Sequence, residues 1–242
     1  MNKNYKSQIN QDKIVDFALS RKRNGVFLDI GAHDGITFSN TYFFEKKRNW
    51  KGICIEPNPD VFLQLINNRQ CKCINCAIAQ NDSVLTYRKI KGHYLVEMLG
   101  GILEFMDDKH IERINREISE LGGTIEDIPV KCKNINSILN ESRIFNINYL
   151  SIDTEGAEFK ILSTIDFKRV NIKVLSVENN YANEVRQLLE GNGYQGIAYD
   201  FDVFYFKDKM IGYRILFITY CLRIKNFLKR KFNKLLIKKN AT

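Results

Sequence analysis

The residues best suited to chemistry fall in three short runs. The first is Asp29-Ile30-Gly31-Ala32-His33-Asp34-Gly35, which closes a brief apolar stretch. Gly31 and Gly35 permit a tight turn and a close approach of ligand to backbone. Such a turn at the carboxyl edge of a parallel sheet reads as a nucleotide-type pocket. The spacing departs from G-x-G-x-x-G, because His33 holds the middle glycine position, where a pyrophosphate needs bare backbone. An acid leading the turn, Asp29, suits a cofactor carrying an ammonium group instead. The second run, Gly52-Ile53-Cys54-Ile55-Glu56, ends in a carboxylate able to accept from both hydroxyls of a ribose. Loop and acid together describe a nucleoside cofactor without a diphosphate. That fits S-adenosylmethionine better than a nicotinamide dinucleotide.

The third run is Ser151-Ile152-Asp153-Thr154-Glu155-Gly156-Ala157-Glu158. Carboxylates clustered there serve as a general base on a hydroxyl or help hold a divalent cation. Glu158 has a second reading, as an acid favouring a helix N-terminus. Glu178-Asn179-Asn180 ends the next apolar run at the same edge and adds polar contacts. The cluster Cys71-x-Cys73-x-x-Cys76 raises the question of zinc. It has no second pair at ligand spacing, and His33, His93 and His110 are scattered, so it reads as buried strand cysteines.

These runs need a frame. Apolar stretches at 25–30, 52–56, 71–79, 149–153 and 172–178 read as strands buried on both faces. Helical patterns at 7–22 (capped by Ser7), 37–47, 60–68, 135–142, 159–165 and 183–191 alternate with them. The helix from Thr37 would direct its first amides at the glycine turn. Alternation at this spacing predicts one doubly wound α/β domain with parallel strands. A last pair at 195–199 and 203–206 is spaced as a hairpin, and 130–133 reads as a short strand. Residues 83–125 interrupt the alternation with an extended 84–90 and a charged helix at 107–121. The expected organisation is a domain over 1–208 with this insertion, then a tail over 209–242.

Composition sets limits on function. With 44% hydrophobic and 27% charged residues, the 242-residue chain is not globally disordered. The net charge of +9 is uneven: residues 209–242 hold ten Lys or Arg and no Asp or Glu, leaving a nearly neutral body. This argues against a nucleic-acid groove on the domain and for a role confined to the tail. Residues 1–12 lack the apolar run of a signal peptide, so reduced thiols and a cytoplasmic site are the default expectation.

The segments VFLDIGAHDGITFSNTYFFEK, GICIEPNP, YLSIDTEGAEFKIL and VLSVENNY together resemble the FkbM family of S-adenosylmethionine-dependent methyltransferases. So do Ser7-Gln8-Ile9-Asn10-Gln11-Asp12 and Glu97-Met98-Leu99-Gly100-Gly101-Ile102 in the insertion. The resemblance spans residues 7–207. It implies a class I methyltransferase fold: a Rossmann-like, seven-stranded, mostly parallel sheet with helices on both faces and a reversed last strand. It also implies O-methylation of a hydroxyl on a sugar or other small molecule. Carried over by position, Asp29, Gly31 and Gly35, with His33 and Asp34, match the loop around the cofactor's amino-acid part. Glu56 matches the ribose acid, and Cys76, Ala77 and Ile78 lie beside the adenine. Asp153 and Glu155 match the segment nearest the methyl group and are the expected bases, with His33 third. The resemblance leaves open whether these acids act as base, cofactor contact or ligands of a divalent metal. Residues Tyr94, Glu97 and Met98 of the insertion are candidates for shaping acceptor choice.

The tail lies beyond the resemblance. Residues 210–224 are apolar but interrupted by Arg214 and Arg223, short of the roughly 18 residues of a membrane span. Ile224, Phe227, Leu228, Phe232, Leu235 and Leu236 then recur at helical spacing among Lys and Arg. Such a helix suits the surface of an anionic membrane through 210–239, a partner or polyanion, or the flank of its own domain. Rival readings are a non-catalytic methyltransferase-like domain acting through this tail and, less favoured, a nicotinamide-dependent oxidoreductase.

Overall fold

The computed structural model describes residues 5–178 and 182–239, with 182, 230 and 232–239 as helical backbone only. The chain opens with α1 (Gln11–Ala18), β1 (Val26–Ile30), α2 (Tyr42–Arg48), β2 (Lys51–Ile55), α3 (Pro59–Asn68) and β3 (Lys72–Ile74). It departs through β4 (Ala77–Ile78), β5 (Ser83–Gly92), α4 (Tyr94–Glu97), β6 (Gly101–Ile102), α5 (Asp108–Leu121) and β7 (Gly123–Lys133). It returns with α6 (Ile135–Ser142), β8 (Asn146–Ile152), α7 (Glu158–Thr164), β9 (Asn171–Glu178) and α8 (Ala182–Gly191). The hairpin β10 (Gln195–Tyr199) and β11 (Asp202–Phe206) precedes α9 (Lys209–Lys239).

The main sheet has the order β3-β2-β1-β8-β9-β11-β10. All neighbours are parallel except β11, which runs against both β9 and β10. This is the class I methyltransferase sheet, with the expected reversed last strand. Alternation along β1 explains its unbroken apolar run. Leu28 and Ile30 enter one core with Ile53, Ile55, Leu150 and Ile152, while Phe27 enters the other with Cys54 and Tyr149. The order of strand addition reverses between β1 and β8, so a crevice opens at their carboxyl ends.

Three local expectations need correction. The helix at 7–22 is only Gln11–Ala18, and Ser7 does not cap it. Asp12 instead gathers the Lys6 amide (2.6 Å), the Ser7 amide (3.2 Å) and the Ser7 hydroxyl (2.5 Å), which wraps the preceding segment around its carboxylate. The helix expected from Thr37 starts at Tyr42, because Asp34 accepts from the Ile36 and Thr37 amides and the Thr37 hydroxyl and holds a turn there. Its first amides therefore do not face the glycine turn; the Tyr42 amide donates to Ser39 Oγ at 3.1 Å. The strand at 71–79 is two strands in two sheets. Asn75 Nδ2 donates to the Glu56 and Pro57 carbonyls, at 2.8 and 3.1 Å, and turns the chain between them.

The insertion is a second sheet of order β4-β7-β5-β6. Its spine is an antiparallel ladder running from Ser83 opposite Cys132 to Gly92 opposite Gly123, so the strand read at 130–133 is the end of a longer one. The charged helix α5 is capped by Asp107, whose Oδ1 accepts from the His110 amide at 2.8 Å. Its single buried residue, Ile114, joins Ile90, Val96 and Leu99 in a small core.

Helix α9 is apolar on two opposite faces. Ile211, Ile215 and Leu222 are buried in the second core, and Arg214 Nη1 donates to the Ala18 carbonyl at 3.3 Å. On the far side Tyr213, Leu216, Phe217, Tyr220, Phe227 and Leu228 are all exposed. Phe232, Leu235 and Leu236 of the sequence pattern have no described side chains. Among the described residues no helix is long and apolar enough to cross a membrane.

Candidate active site

Asp29 is the fourth residue of β1, in register with Cys54 of β2 and Ser151 of β8. It is buried, and Thr41 Oγ1 donates to its Oδ2 at 2.5 Å. Burial raises its pKa, and the nearby Arg69 guanidinium partly offsets this. Arg69 is itself enclosed. It donates to Glu45 Oε2 (2.9 Å), Thr41 Oγ1 (3.0 Å) and the Gly35 carbonyl (3.3 Å), and so fixes the turn behind Asp29.

The two glycines of the turn do adopt positive φ, at 84° and 78°. What presses on them is protein. A Cβ at Gly31 would lie 1.8 Å from the Asp153 carbonyl oxygen, and one at Gly35 would meet Leu65 and Arg69 side chains. The sequence reading reserved that space for a ligand; the packing gives it to the neighbouring strand end and to α3 with Arg69.

Glu56 follows β2 and is buried. Its Oε2 accepts from the His33 amide at 2.9 Å and its Oε1 from the Asn58 amide at 2.8 Å. Burial pushes its pKa up to about 7, against the pull of those amides and of His33. Burial alone would lower the His33 pKa, but Asp34, 3.8 Å from Nδ1, and Glu56 outweigh it and raise it. Asp34 is held well below the usual carboxylate range despite partial burial, by His33, the Thr37 hydroxyl and two loop amides.

One polar cleft is lined by Asp29, Gly31, His33, Asn40, Glu56 and Asp153. It adjoins an apolar slot that shares Gly31, Glu56, Tyr87 and Gly100 and adds Cys76, Ala77, Ile78, Ile102 and Ile161. Thus Asp29 and Glu56 share a rim, with the slot beyond Glu56. Asp34, Gly35 and Glu155 do not line either space. Asp153 is exposed and opens onto the cleft. Partial desolvation in the cleft, with the like charges of Glu178, Asp202, Glu158 and Asp29, raises its pKa.

Glu155 adopts φ 52° and is gripped from α5: His110 Nδ1 stands 3.6 Å and Arg113 Nη1 3.5 Å from its Oε2. Burial and Asp153 raise its pKa to about 8, although Arg113 opposes them. Glu158 turns back on its own loop, accepting from the Thr154 amide and hydroxyl at 2.9 Å, which favours the local reading of that acid. Oxygens of Asp153, Glu155 and Glu178 lie within 4.8 Å of one another. Asn179 and Asn180 lie outside the described residues.

Sequence reasoning missed Asn40, Thr41, Arg69 and Tyr87. Asn40 is 9% exposed, its Nδ2 donates to Ser151 Oγ at 2.9 Å, and its Oδ1 has no partner among the described residues. Its signal was the Ser-Asn-Thr run just past the glycine turn, overlooked because a helix was expected there. Tyr87 belongs to the insertion, whose strand reaches back over the cleft. Of the insertion residues singled out, Met98 lines the cleft, whereas Tyr94 is exposed and Glu97 accepts from the Gly92 amide at 3.3 Å.

Comparison with known proteins gives a family match over residues 29–195, to the Methyltransferase FkbM domain. A search of curated proteins gives no match. Among solved structures, the methyltransferase FkbM from Methylobacillus flagellatus is similar at 12% identity and TM-score 0.45, covering 76% of this chain and 43% of that one. This chain therefore spans less than half the length of that relative. Fibrillarin from Aeropyrum pernix, solved with S-adenosyl-L-methionine, is similar at 10% identity and TM-score 0.42, covering 84% and 75% of the two chains. Precorrin-6y C5,15-methyltransferase from Geobacter metallireducens is similar at 13% identity and TM-score 0.39, covering 85% and 90%. With the family match running from Asp29 through both strand ends of the cleft to Gln195, the chain belongs to the FkbM methyltransferase domain family.

Proposed function

We propose that the protein is an S-adenosylmethionine-dependent O-methyltransferase acting on a hydroxyl of a sugar or other small molecule. The observation that carries this reading is the shared rim of Asp29 and Glu56, with an apolar slot on one side and Asp153 on the other. The donor set fits the cofactor. Each oxygen of Glu56 spends one lone pair on a backbone amide and keeps one for a ribose hydroxyl. Cys76, Ala77 and Ile78 offer apolar walls to a flat base. Asp29 and the unsatisfied Asn40 Oδ1 offer acceptors to an ammonium group.

When bound, S-adenosylmethionine supplies the activated methyl group. The chain's residues must orient the acceptor hydroxyl and take its proton. Asp153 is the proposed proton acceptor at its carboxylate, since it alone of the two expected acids lines the cleft. Glu155, tied to α5, is a positioning residue that couples the insertion to the Asp153 loop. His33 suits this task less well, because its neighbours favour the protonated ring. The three carboxylates of Asp153, Glu155 and Glu178 also leave a divalent cation as a secondary reading.

Calorimetry with two ligands tests the cofactor assignment. The expected result is micromolar binding of S-adenosylhomocysteine, weakened about tenfold in Asn40→Ala, the scale of one charge-assisted hydrogen bond. Methylthioadenosine lacks the amino-acid end, so its affinity should not change in that variant. A wild-type protein that binds neither ligand would remove the assignment.

We also propose peripheral contact with an anionic membrane through residues 210–239. The outer stripe of α9 is apolar, and the tail carries ten basic residues and no acid. Vesicles containing phosphatidylserine should sediment the protein, and Leu216→Glu with Tyr220→Glu should abolish this. Equal binding to purely zwitterionic vesicles would contradict the electrostatic part. Truncation at 207 is a poor control, because it uncovers the core contacts of Ile211 and Ile215.

A further inference from the structure

Three thiols, Cys54 and the sequence neighbours Cys71 and Cys73, meet on one face of the β2–β3 edge. Cys54 of β2 stands opposite Cys73 of β3 in parallel register. Cys71, two residues before Cys73, projects to the same side of the strand. Its Sγ lies 3.5 Å from Cys54 Sγ, and Cys73 Sγ lies 3.6 Å from the Cys71 carbonyl. Cys54 is buried, while Cys71 and Cys73 are half-buried. Cys76, the third member of the motif in the sequence, enters the opposite core. The sheet therefore splits the run that looked like one cluster and recruits Cys54 in its place.

The fixed cation beside this trio is Arg69, whose guanidinium is sealed from solvent and paired with Glu45; Asp29 is the remaining ionisable neighbour. Neighbouring thiols with a guanidinium beside them favour a thiolate within the trio. Contacts with Cys54 and Cys71, helped by Arg69 and opposed by burial and Glu45, pull Cys73 down to about 4. Burial and hydrogen bonding to its two neighbours push Cys54 up.

We propose that Cys54, Cys71 and Cys73 form a hydroperoxide-reactive site in which Cys73 is the attacking sulfur and a neighbouring thiol closes a disulfide. Cys73 Sγ attacks a peroxide oxygen, the O–O bond breaks, and the leaving oxygen departs as hydroxide or alkoxide and takes up a proton. The sulfur is oxidised to a sulfenic acid and the peroxide is reduced. A neighbouring thiol then attacks that sulfur, gives up its proton, and expels the hydroxyl as water. Two thiols and one hydroperoxide thus yield one disulfide, one alcohol or water, and one water. Neighbouring strands stand about 4.8 Å apart, within the Cα range that a disulfide spans. Cys71, at 3.5 Å from Cys54, can then exchange into the bridge.

The test uses the full reduced chain and hydrogen peroxide. Trypsin separates the three thiols, because Lys51, Arg69, Lys72 and Arg88 flank them. Fragment ions distinguish Cys73 from Cys76 on their shared peptide. Two results are expected. In a brief iodoacetamide pulse near pH 6, Cys73 is alkylated at least about tenfold faster than Cys221 of α9. Stoichiometric peroxide links the Cys54 peptide to that of Cys71 or Cys73, reversibly with dithiothreitol, and Cys73→Ser slows this about tenfold. The proposal is overturned if Cys221 labels first, if peroxide produces no linkage or one joining Cys76 to Cys132, or if the serine variant reacts as fast. The labelling order is read on the wild type, so the test survives a variant that folds poorly.

Discussion

Asp153→Asn is expected to lower methyl transfer by about 10²- to 10⁴-fold, the usual contribution of a positioned general base. Binding of S-adenosylhomocysteine and the far-ultraviolet spectrum should stay close to wild type. The amide keeps the size and polarity of the side chain but cannot take a proton from the acceptor hydroxyl. The carboxylate is well suited to that step. Partial desolvation in the cleft and four like charges raise its pKa, so its ionised form is a stronger base than an unperturbed aspartate. Glu155→Gln should cost less, because that acid faces His110 and Arg113 and does not line the cleft. Wild-type turnover in Asp153→Asn would remove this residue from the mechanism.

Glu56→Ala should weaken S-adenosylhomocysteine binding by about 100-fold, the scale of two hydrogen bonds to a charged group. Glu56 also makes affinity depend on pH. Its pKa is raised to about 7 in the free protein, so the acid form dominates below that pH. Two ribose hydroxyls donate best to the ionised form, both of whose oxygens accept, so binding draws the pKa down and releases a proton. Affinity should therefore rise from about pH 6 to pH 8, with proton release measurable in buffers of different ionisation enthalpy. In Glu56→Gln the slope should flatten. Unchanged affinity in Glu56→Ala, or an unchanged pH slope in the glutamine variant, would refute the ribose role.

Much of this site was legible in the sequence because strands buried on both faces announce themselves. VFLDI, GICI and NYLSI need a hydrophobic layer on either side, and the residues that end them must share one edge. Asp29, Glu56 and Asp153 could be brought together on that ground alone. Helix starts were less legible. Asp12 and Asp34 each collect several nearby donors, and such local bonds outcompete a helical turn without changing the apolar period. The Cys71–Ala79 segment reads as one apolar run, and only the Asn75 side chain, bonding two distant carbonyls, reveals that it serves two sheets. Arg69 was unreadable for a related reason. Nothing in its neighbourhood along the chain marks a buried cation, since its partners come from the turn after β1 and from α2.

The contact at Gly31 ties two halves of the chemistry together. The Asp153 amide donates to the Ile30 carbonyl at 3.0 Å, and the Asp153 oxygen fills the space where any side chain at position 31 would begin. The proposed seat of the donor and the backbone bearing the proposed proton acceptor are thus one mechanical part. A larger residue at 31 would displace both at once, so drift at that position cannot tune the proposed grip without also moving Asp153.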